Sequence, residues 1–293
     1  MMHAFADSTT VRGVFAEASE VLGQDLWALV QSGPADALNA TVNTQPVMLT
    51  AGYAVYRAWI DGGGAEPAIV AGHSLGEYTA LVAAGVIGFR DALPLVRFRA
   101  QAMQEAVPVG TGSMAAILGL DDDAVRKVCA DAALDEVVEA VNFNAPSQVV
   151  VAGHKGAVAR AGEAATAAGA KRALMLPVSA PFHSSLLEPA ATRLAVYLEG
   201  MSFNPPVIPL VNNVDVAVIE DALGIKHALA RQACSPVRWV EVVHAMADAG
   251  ITNVVECGPG KVLAGLTRRI TPHVKGHALT DPASIAQIME VLK

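Results

Sequence analysis

Two hydrophobic rhythms alternate along this chain, one with helical spacing and one of short, nearly unbroken apolar runs. Val14, Phe15, Ala18, Val21 and Leu22 form a helical stripe within 11–30 that stops near Gly23. A second helix is predicted over 47–60, with Thr44 as its N-cap and Pro46 in its first turn, closed by Gly62-Gly63-Gly64. The run at 68–71 reads as a strand covered on both faces, and an Ala- and Leu-rich helix follows over 75–84. A further helix is predicted over 89–106. The pattern then becomes strand 113–120, helix 121–133, strand 137–141, an Asn-Ala-Pro-Ser turn, strand 148–152, helix 157–168 and strand 172–176. That β-α-β-β-α-β order is the ferredoxin-like arrangement and predicts a small domain inserted into a larger one.

After it, Val178-Ser179-Ala180-Pro181-Phe182-His183 reads as extended, because Pro181 disfavours helix, with His183 opening a helix over 184–199. A strand at 207–211 follows two prolines. A helix reaching Gln232, a helix over 239–249, a strand over 252–257, the Gly258-Pro259-Gly260 loop and a helix over 261–270 complete the pattern. Strands alternating with helices outside the insertion predict an α/β fold, a mainly parallel sheet with helices on both faces. The expected division is 1–109 with 179–293 as the large domain and 110–178 as the small one.

Composition narrows the classes of function. With 293 residues, 53% of them hydrophobic, the chain can bury a substantial core. A formal charge of -8 and no run of Lys and Arg argue against a nucleic-acid surface. The uncharged span 37–56 carries asparagines, threonines and Pro46, a poor membrane helix, and no signal-peptide pattern opens the chain. Three well-separated cysteines, Cys129, Cys234 and Cys257, suit free thiols in a reducing cytoplasm rather than a disulfide frame or a zinc site.

The chemistry concentrates at Gly72-His73-Ser74-Leu75-Gly76. A tight strand-to-helix turn leaves little room for Cβ atoms beside its central residue, so glycines at 72 and 76 let the Ser74 hydroxyl project as a nucleophile. The Leu75 N–H, at the open start of the next helix, can face an oxyanion. Arg99 lies on the apolar stripe of Leu95, Val96, Ala102, Met103 and Ala106, whereas Arg97 shares the solvated face with Arg90, Gln101 and Gln104. A guanidinium on an apolar stripe needs an anion. A substrate carboxylate, a structural ion pair with a carboxylate such as Glu77 and snorkelling at the helix edge are the three readings open to it. Gly258-Pro259-Gly260-Lys261 lacks the spacing and the Ser or Thr of a phosphate loop and reads as a tight turn. Eight histidines compete as the base for Ser74. His73 is too close in sequence and lines the site or packs, while His183 sits in a rigid Pro-containing turn; spacing alone does not choose.

Gly72-His73-Ser74-Leu75-Gly76-Glu77-Tyr78, Arg99 followed by Met103-Gln104-Glu105-Ala106-Val107-Pro108, Gly112-Ser113-Met114-Ala115-Ala116, Ala180-Pro181-Phe182-His183 and Glu256-Cys257-Gly258-Pro259-Gly260-Lys261 occur in this order. Over essentially its whole length the chain resembles the malonyl-CoA:acyl carrier protein transacylases of bacterial type II fatty acid synthesis. The resemblance implies a hydrolase-like large domain, Ser74 as nucleophile, His183 as base oriented by the backbone carbonyl of Gln232, Leu75 as oxyanion donor and Arg99 on the malonyl carboxylate. His73, Met103 and Phe182 would line the substrate pocket, with Phe182 disfavouring a branched methylmalonyl group by bulk. It implies a cytoplasmic monomer with malonyl-CoA and acyl carrier protein as partners, no cofactor and no metal. Lys261, Arg268 and Arg269 are candidates for docking the acidic carrier. A serine thioesterase or esterase, and an inactive carrier-binding domain, are the rival readings. Members of that family open with a buried strand and a Gly-Gln-Gly-Ser-Gln loop. This sequence, beginning Met1-Met2-His3-Ala4-Phe5, enters the pattern after that loop, which implies one strand and one oxyanion donor fewer.

Overall fold

In the computed structural model, which describes residues 1–178 and 180–292, helices begin and end where the chain supplies caps. Ser179, in the predicted extended stretch, and Lys293 lie outside the described residues. Helix α1 (Thr9–Leu22) starts with the Ser8 hydroxyl accepting from Val11 N and stops at Gly23, which takes the left-handed conformation (φ 62°). Short helices α2 (Leu26–Ser32) and α3 (Ala35–Asn39) follow, and neither is evident in the periodicity. Helix α4 (Thr41–Asp61) begins earlier than expected, with Ala40 as N-cap. Thr44 instead donates its hydroxyl to the Leu38 carbonyl at 2.7 Å, and Pro46 is buried inside the helix.

Strand β1 (Val70–Ala71) leads into α5 (Leu75–Ala83), then α6 (Phe89–Glu105). The inserted segment supplies β2 (Gly112–Leu118), α7 (Asp122–Ala133), β3 (Val138–Ala145), β4 (Gln148–His154), α8 (Lys155–Ala167) and β5 (Arg172–Met175). A 3-10 turn, Ser185–Leu187, separates His183 from α9 (Glu188–Glu199), so the predicted helix starts later than 184. Then come β6 (Leu210–Val211), α10 (Ala222–Gln232), α11 (Trp239–Asp248), β7 (Asn253–Cys257) and α12 (Val262–Ile270). Strand β8 (Lys275–Leu279) and helix α13 (Pro282–Val291) end the fold. Neither was anticipated, although Asp281 and Ser284 form a capping box that marks α13.

The fold is α/β. Its parallel strands pair as β1 with β6 and β7 with β8, while β3-β4-β2-β5 form an antiparallel sheet. The runs predicted at 68–71 and 207–211 shorten to two residues each. Pro209 has no N–H for the ladder and only accepts from Val70 N at 2.9 Å; beyond Val211 the Asn212 side chain accepts from Val214 N and Asp215 N and turns the chain away.

One face of the antiparallel sheet, with Ala115, Ile117, Val149 and Val151, packs against Val125, Cys129, Val158 and Ala161 of α7 and α8. Its other face, Met114, Val141, Val150 and Ala152, is covered in part by Leu176 and Phe182, so the segment carrying His183 lies across this sheet. Strand β3 is also stitched to the chain before α11, with Phe143 N donating to Val237 O and Val237 N to Val141 O. The larger core joins α1, α4, α5, α6, α9 and α10 through residues such as Phe15, Leu49, Leu81, Leu95, Leu194 and Leu229.

Candidate active site

At the end of β1 the chain reverses into α5 through Ser74, whose backbone is held at φ 52° and ψ -108°. A Cβ on Gly72 would lie 1.9 Å from the carbonyl carbon of Gly76, whereas a Cβ on Gly76 would meet nothing within 4 Å. The steric demand expected of both glycines therefore falls on Gly72 alone. Gly72→Ala is expected to destabilise the chain by about 3 kcal/mol or more through this overlap. Gly76→Ala, inside the first turn of α5, should leave stability unchanged or raise it by up to ~1 kcal/mol. Urea melts of the two variants check this, and equal losses would refute it.

Asn213, just past β6, fixes the strained turn. Its Oδ1 accepts from Ser74 N at 2.7 Å and its Nδ2 donates to Gly72 O at 2.8 Å. The Leu75 N–H stands at the first position of α5, where no carbonyl within the helix can accept it.

Across 109 residues of sequence, His183 Nε2 comes within 2.7 Å of Ser74 Oγ. Its Nδ1 lies 2.8 Å from the Gln232 carbonyl, which can only accept. That contact places the ring proton on Nδ1 and leaves Nε2 to accept from the serine hydroxyl. His183 itself has φ 67°. The turn around it is tied by Ser184 Oγ donating to Pro181 O at 2.7 Å, and by Glu139 of β3 accepting from both Ser185 N and Ser185 Oγ. Burial, then the Arg99 charge, push the His183 pKa down to about 3, so at ordinary pH the ring is neutral and its Nε2 is free to accept a proton.

Arg99 is 2% exposed and forms no direct ion pair among the described residues. Its Nη1 donates to Gln45 Oε1 at 2.7 Å, and its Nη2 to Gln232 Oε1 at 2.9 Å and to Ser74 Oγ at 3.2 Å. The guanidinium carbon lies 5.2 Å from the Tyr78 ring centroid. Of the three readings open from the sequence, a Glu77 salt bridge and snorkelling at the helix edge do not describe this geometry. Arg99 is buried against neutral oxygens beside the candidate nucleophile. Arg97 is not merely solvated. It donates to Leu22 O at 3.1 Å and Gln24 Oε1 at 2.6 Å, closing the C-terminal end of α1.

Of the other residues singled out, Met103 is buried with its sulfur 4.0 Å from Gln45 Nε2, and Phe182 is half-buried between the two cores. His73 Nε2 lies 2.8 Å from Asn144 Oδ1, its ring against Trp239, and burial lowers its pKa. Lys261 is the N-cap residue of α12 while Arg268 and Arg269 lie in its last turn; Arg269 also donates to the side chain of Gln148 and to Pro146 O. Gly258-Pro259-Gly260 is a turn between β7 and α12, with Gly258 and Gly260 at positive φ.

Sequence reasoning missed Gln45 and Asn213, and of Gln232 it foresaw only the carbonyl. The available signals were weak: an Asn pair directly after the apolar run of β6, and a glutamine ahead of Pro46 on a buried helix face. The assembled groups are a serine oxygen with a neutral imidazole at hydrogen-bond distance, a helix-terminal N–H beside it and a buried cation. This set can carry acyl transfer to and from a substrate bearing an anion. Among the described residues no cluster of His, Cys, Asp and Glu is arranged to hold a metal, and no helix is long and apolar enough to cross a membrane.

A family profile for the acyl transferase domain matches residues 2–278. The chain is 56% identical over 281 residues to the malonyl CoA-acyl carrier protein transacylase of Escherichia coli strain K12, covering 96% of this chain and 91% of that protein. It superposes on the acyl-carrier-protein S-malonyltransferase of Burkholderia pseudomallei 1710b with a TM-score of 0.97 at 64% identity, over 99% of this chain and 94% of that one. It also matches, with a TM-score of 0.98 at 51% identity over 99% of this chain and 94% of that one, a malonyl-transacylase solved in complex with its type II PKS acyl-carrier protein in the holo form.

Proposed function

The chain belongs to the acyl transferase family, and on that footing we propose that it moves malonyl groups from malonyl-CoA to acyl carrier protein through a malonyl-Ser74 intermediate. The observation that carries the reading is the position of Ser74 Oγ, shared between His183 Nε2 at 2.7 Å and Arg99 Nη2 at 3.2 Å. A nucleophile so placed has its base on one side and a fork for a carboxylate on the other.

Malonyl-CoA binds with its free carboxylate on Arg99. Ser74 Oγ attacks the thioester carbonyl as His183 Nε2 takes the hydroxyl proton, and the Leu75 N–H donates to the oxyanion. Collapse of the tetrahedral intermediate breaks the C–S bond, and the proton passes from His183 to the departing CoA sulfur. The phosphopantetheine thiol of the carrier then gives its proton to His183, attacks malonyl-Ser74, and the serine oxygen leaves and recovers the proton. The Gln232 carbonyl steadies the imidazolium in both halves by accepting from Nδ1. These steps call only on side chains, a backbone N–H and the two substrates, so the reading needs no cofactor.

The antiparallel sheet with α7 and α8 is proposed as the small domain, over 110–178, and the rest as the large domain, with the reaction between them. The free thiols of Cys129, Cys234 and Cys257 support a cytoplasmic setting. Lys261, at the N-cap of α12, and Arg268 and Arg269, in its last turn, stand as docking candidates for the carrier.

The test is intact mass after incubation with malonyl-CoA, before and after addition of holo carrier protein. One malonyl adduct, discharged onto the carrier with little free malonate, is the expected result. Release of free acid at a rate comparable with transfer would make the chain a thioesterase, and absence of any adduct would overturn the reading.

A further inference from the structure

Glu77 is a carboxylate 2% exposed, one turn after Ser74, and none of the proposed steps uses it. A buried carboxylate without a cationic partner is costly unless its oxygens are well hydrogen-bonded, and here both bonds lead to the site. Its Oε2 accepts from Asn213 N at 2.9 Å and from Gln232 Nε2 at 3.0 Å. Asn213 in turn grips Ser74 N and Gly72 O. Gln232 Nε2 also donates to Ser74 O at 3.0 Å, its Oε1 accepts from Arg99 Nη2, and its carbonyl accepts from His183 Nδ1. One carboxylate oxygen therefore reaches, through two amide residues, the backbone of the nucleophile, the orienting carbonyl of the base and the buried guanidinium.

On the proposed function as premise, we infer that Glu77 is the positioning residue of this site: its carboxylate sets Asn213 and Gln232, and through the Gln232 amide it balances the charge of Arg99. The chain carboxylate–amide–guanidinium keeps Glu77 out of direct contact with Arg99, which leaves the buried Arg99 Nε–H without a partner among the described residues and available to a substrate carboxylate while the charge of the guanidinium is partly offset. The malonyl carboxylate and Glu77 then compete electrostatically for one cation. The charged groups acting on Glu77 are Arg99 of α6 and Asp215 beyond β6; burial raises its pKa to about 7, and the two hydrogen bonds and Arg99 oppose that rise.

Geometry and charge separate in two variants of the full chain. In Glu77→Gln the amide oxygen still accepts from Asn213 and Gln232, but the charge is gone. At pH 8.5, above the pKa of about 7 at which Glu77 ionises, the rate of malonyl-Ser74 formation should stay within about threefold of the unaltered chain, while KM for malonyl-CoA falls about 5-fold and the inhibition constant of acetyl-CoA, which has no carboxylate, does not move. In Glu77→Ala both acceptor bonds vanish, and the acylation rate should fall roughly 100-fold from displacement of the nucleophile. A folded Ala variant with an unaltered rate, a Gln variant whose rate falls as far as that of Ala, or a Gln variant with the malonyl and acetyl constants unchanged would each overturn the inference. If the Ala variant does not fold, the malonyl-against-acetyl contrast of the Gln variant decides alone. Absence of an adduct on the unaltered chain would instead indict the proposed function.

Discussion

Ser74→Ala is expected to give no malonyl adduct at all and to lower malonyl transfer by roughly 10⁴-fold or more, because no neighbouring group can replace the attacking oxygen. His183→Ala should come close to the same loss, since at neutral pH the serine hydroxyl is a poor nucleophile without the imidazole 2.7 Å away. The double variant should be little worse than either single one: a nucleophile and the base that serves it work as a unit, and removing one disables both. Single-turnover acylation followed by rapid quench and intact mass measures all three. Multiplicative losses would mean that Ser74 and His183 do not act on the same proton. The depressed pKa of His183 adds a further expectation. A base whose pKa in the folded chain lies near 3 is already unprotonated through the neutral and mildly acidic range, so acylation should fall on the acid side only where His183 takes a proton. The same depression makes the unfolded chain bind the proton first as pH drops below the ordinary histidine value, and stability declines from there toward the folded pKa.

Arg99→Ala should lower malonyl transfer by about 10³-fold while acetyl transfer rises relative to it, so that discrimination against acetyl-CoA largely disappears. The reason is the state of the guanidinium: 2% exposed, with neutral oxygens and Ser74 Oγ as its partners. A malonyl carboxylate supplies the opposite charge that such a cation lacks, whereas an acetyl group would leave it buried without one, and sites that leave a polar group unpaired reject the deficient substrate strongly. Lysine should not restore selectivity, because a point charge cannot reproduce a planar fork that spans Gln45, Gln232 and the substrate at once. The alanine change also removes the second cause of the low His183 pKa, so the acid limb of the remaining activity should move to higher pH. Competition assays with malonyl-CoA and acetyl-CoA across pH measure both effects; unchanged selectivity would detach Arg99 from substrate recognition.

Local pattern by itself determined a good deal. The apolar run broken by Gly72, the serine and the helix that follows identified the strained turn, because strand, glycine and helix are all signals carried within about ten residues. The β-α-β-β-α-β order of 110–178 was legible for the same reason: each of its elements is longer than the two-residue parallel strands β1 and β6 and has its own periodicity. Arg99 was marked as exceptional by its place on an apolar stripe. Its partners were not, because they arrive from α4 and α10, far away in the chain. Spacing left the choice among the eight histidines open and only the family resemblance pointed to His183; the tertiary structure brought it to Ser74 and decided that Asn213 holds the nucleophile turn and that Gln232 serves through its amide as well as its carbonyl. It also decided that Gly72 is sterically required and Gly76 is not, since the clash depends on how closely two backbone segments approach. Periodicity reports which face of an element is buried, but not what the burial brings to it. A catalytic hydrogen bond spanning 109 residues exists only once the sheet, the helices and the turn at His183 are packed against one another.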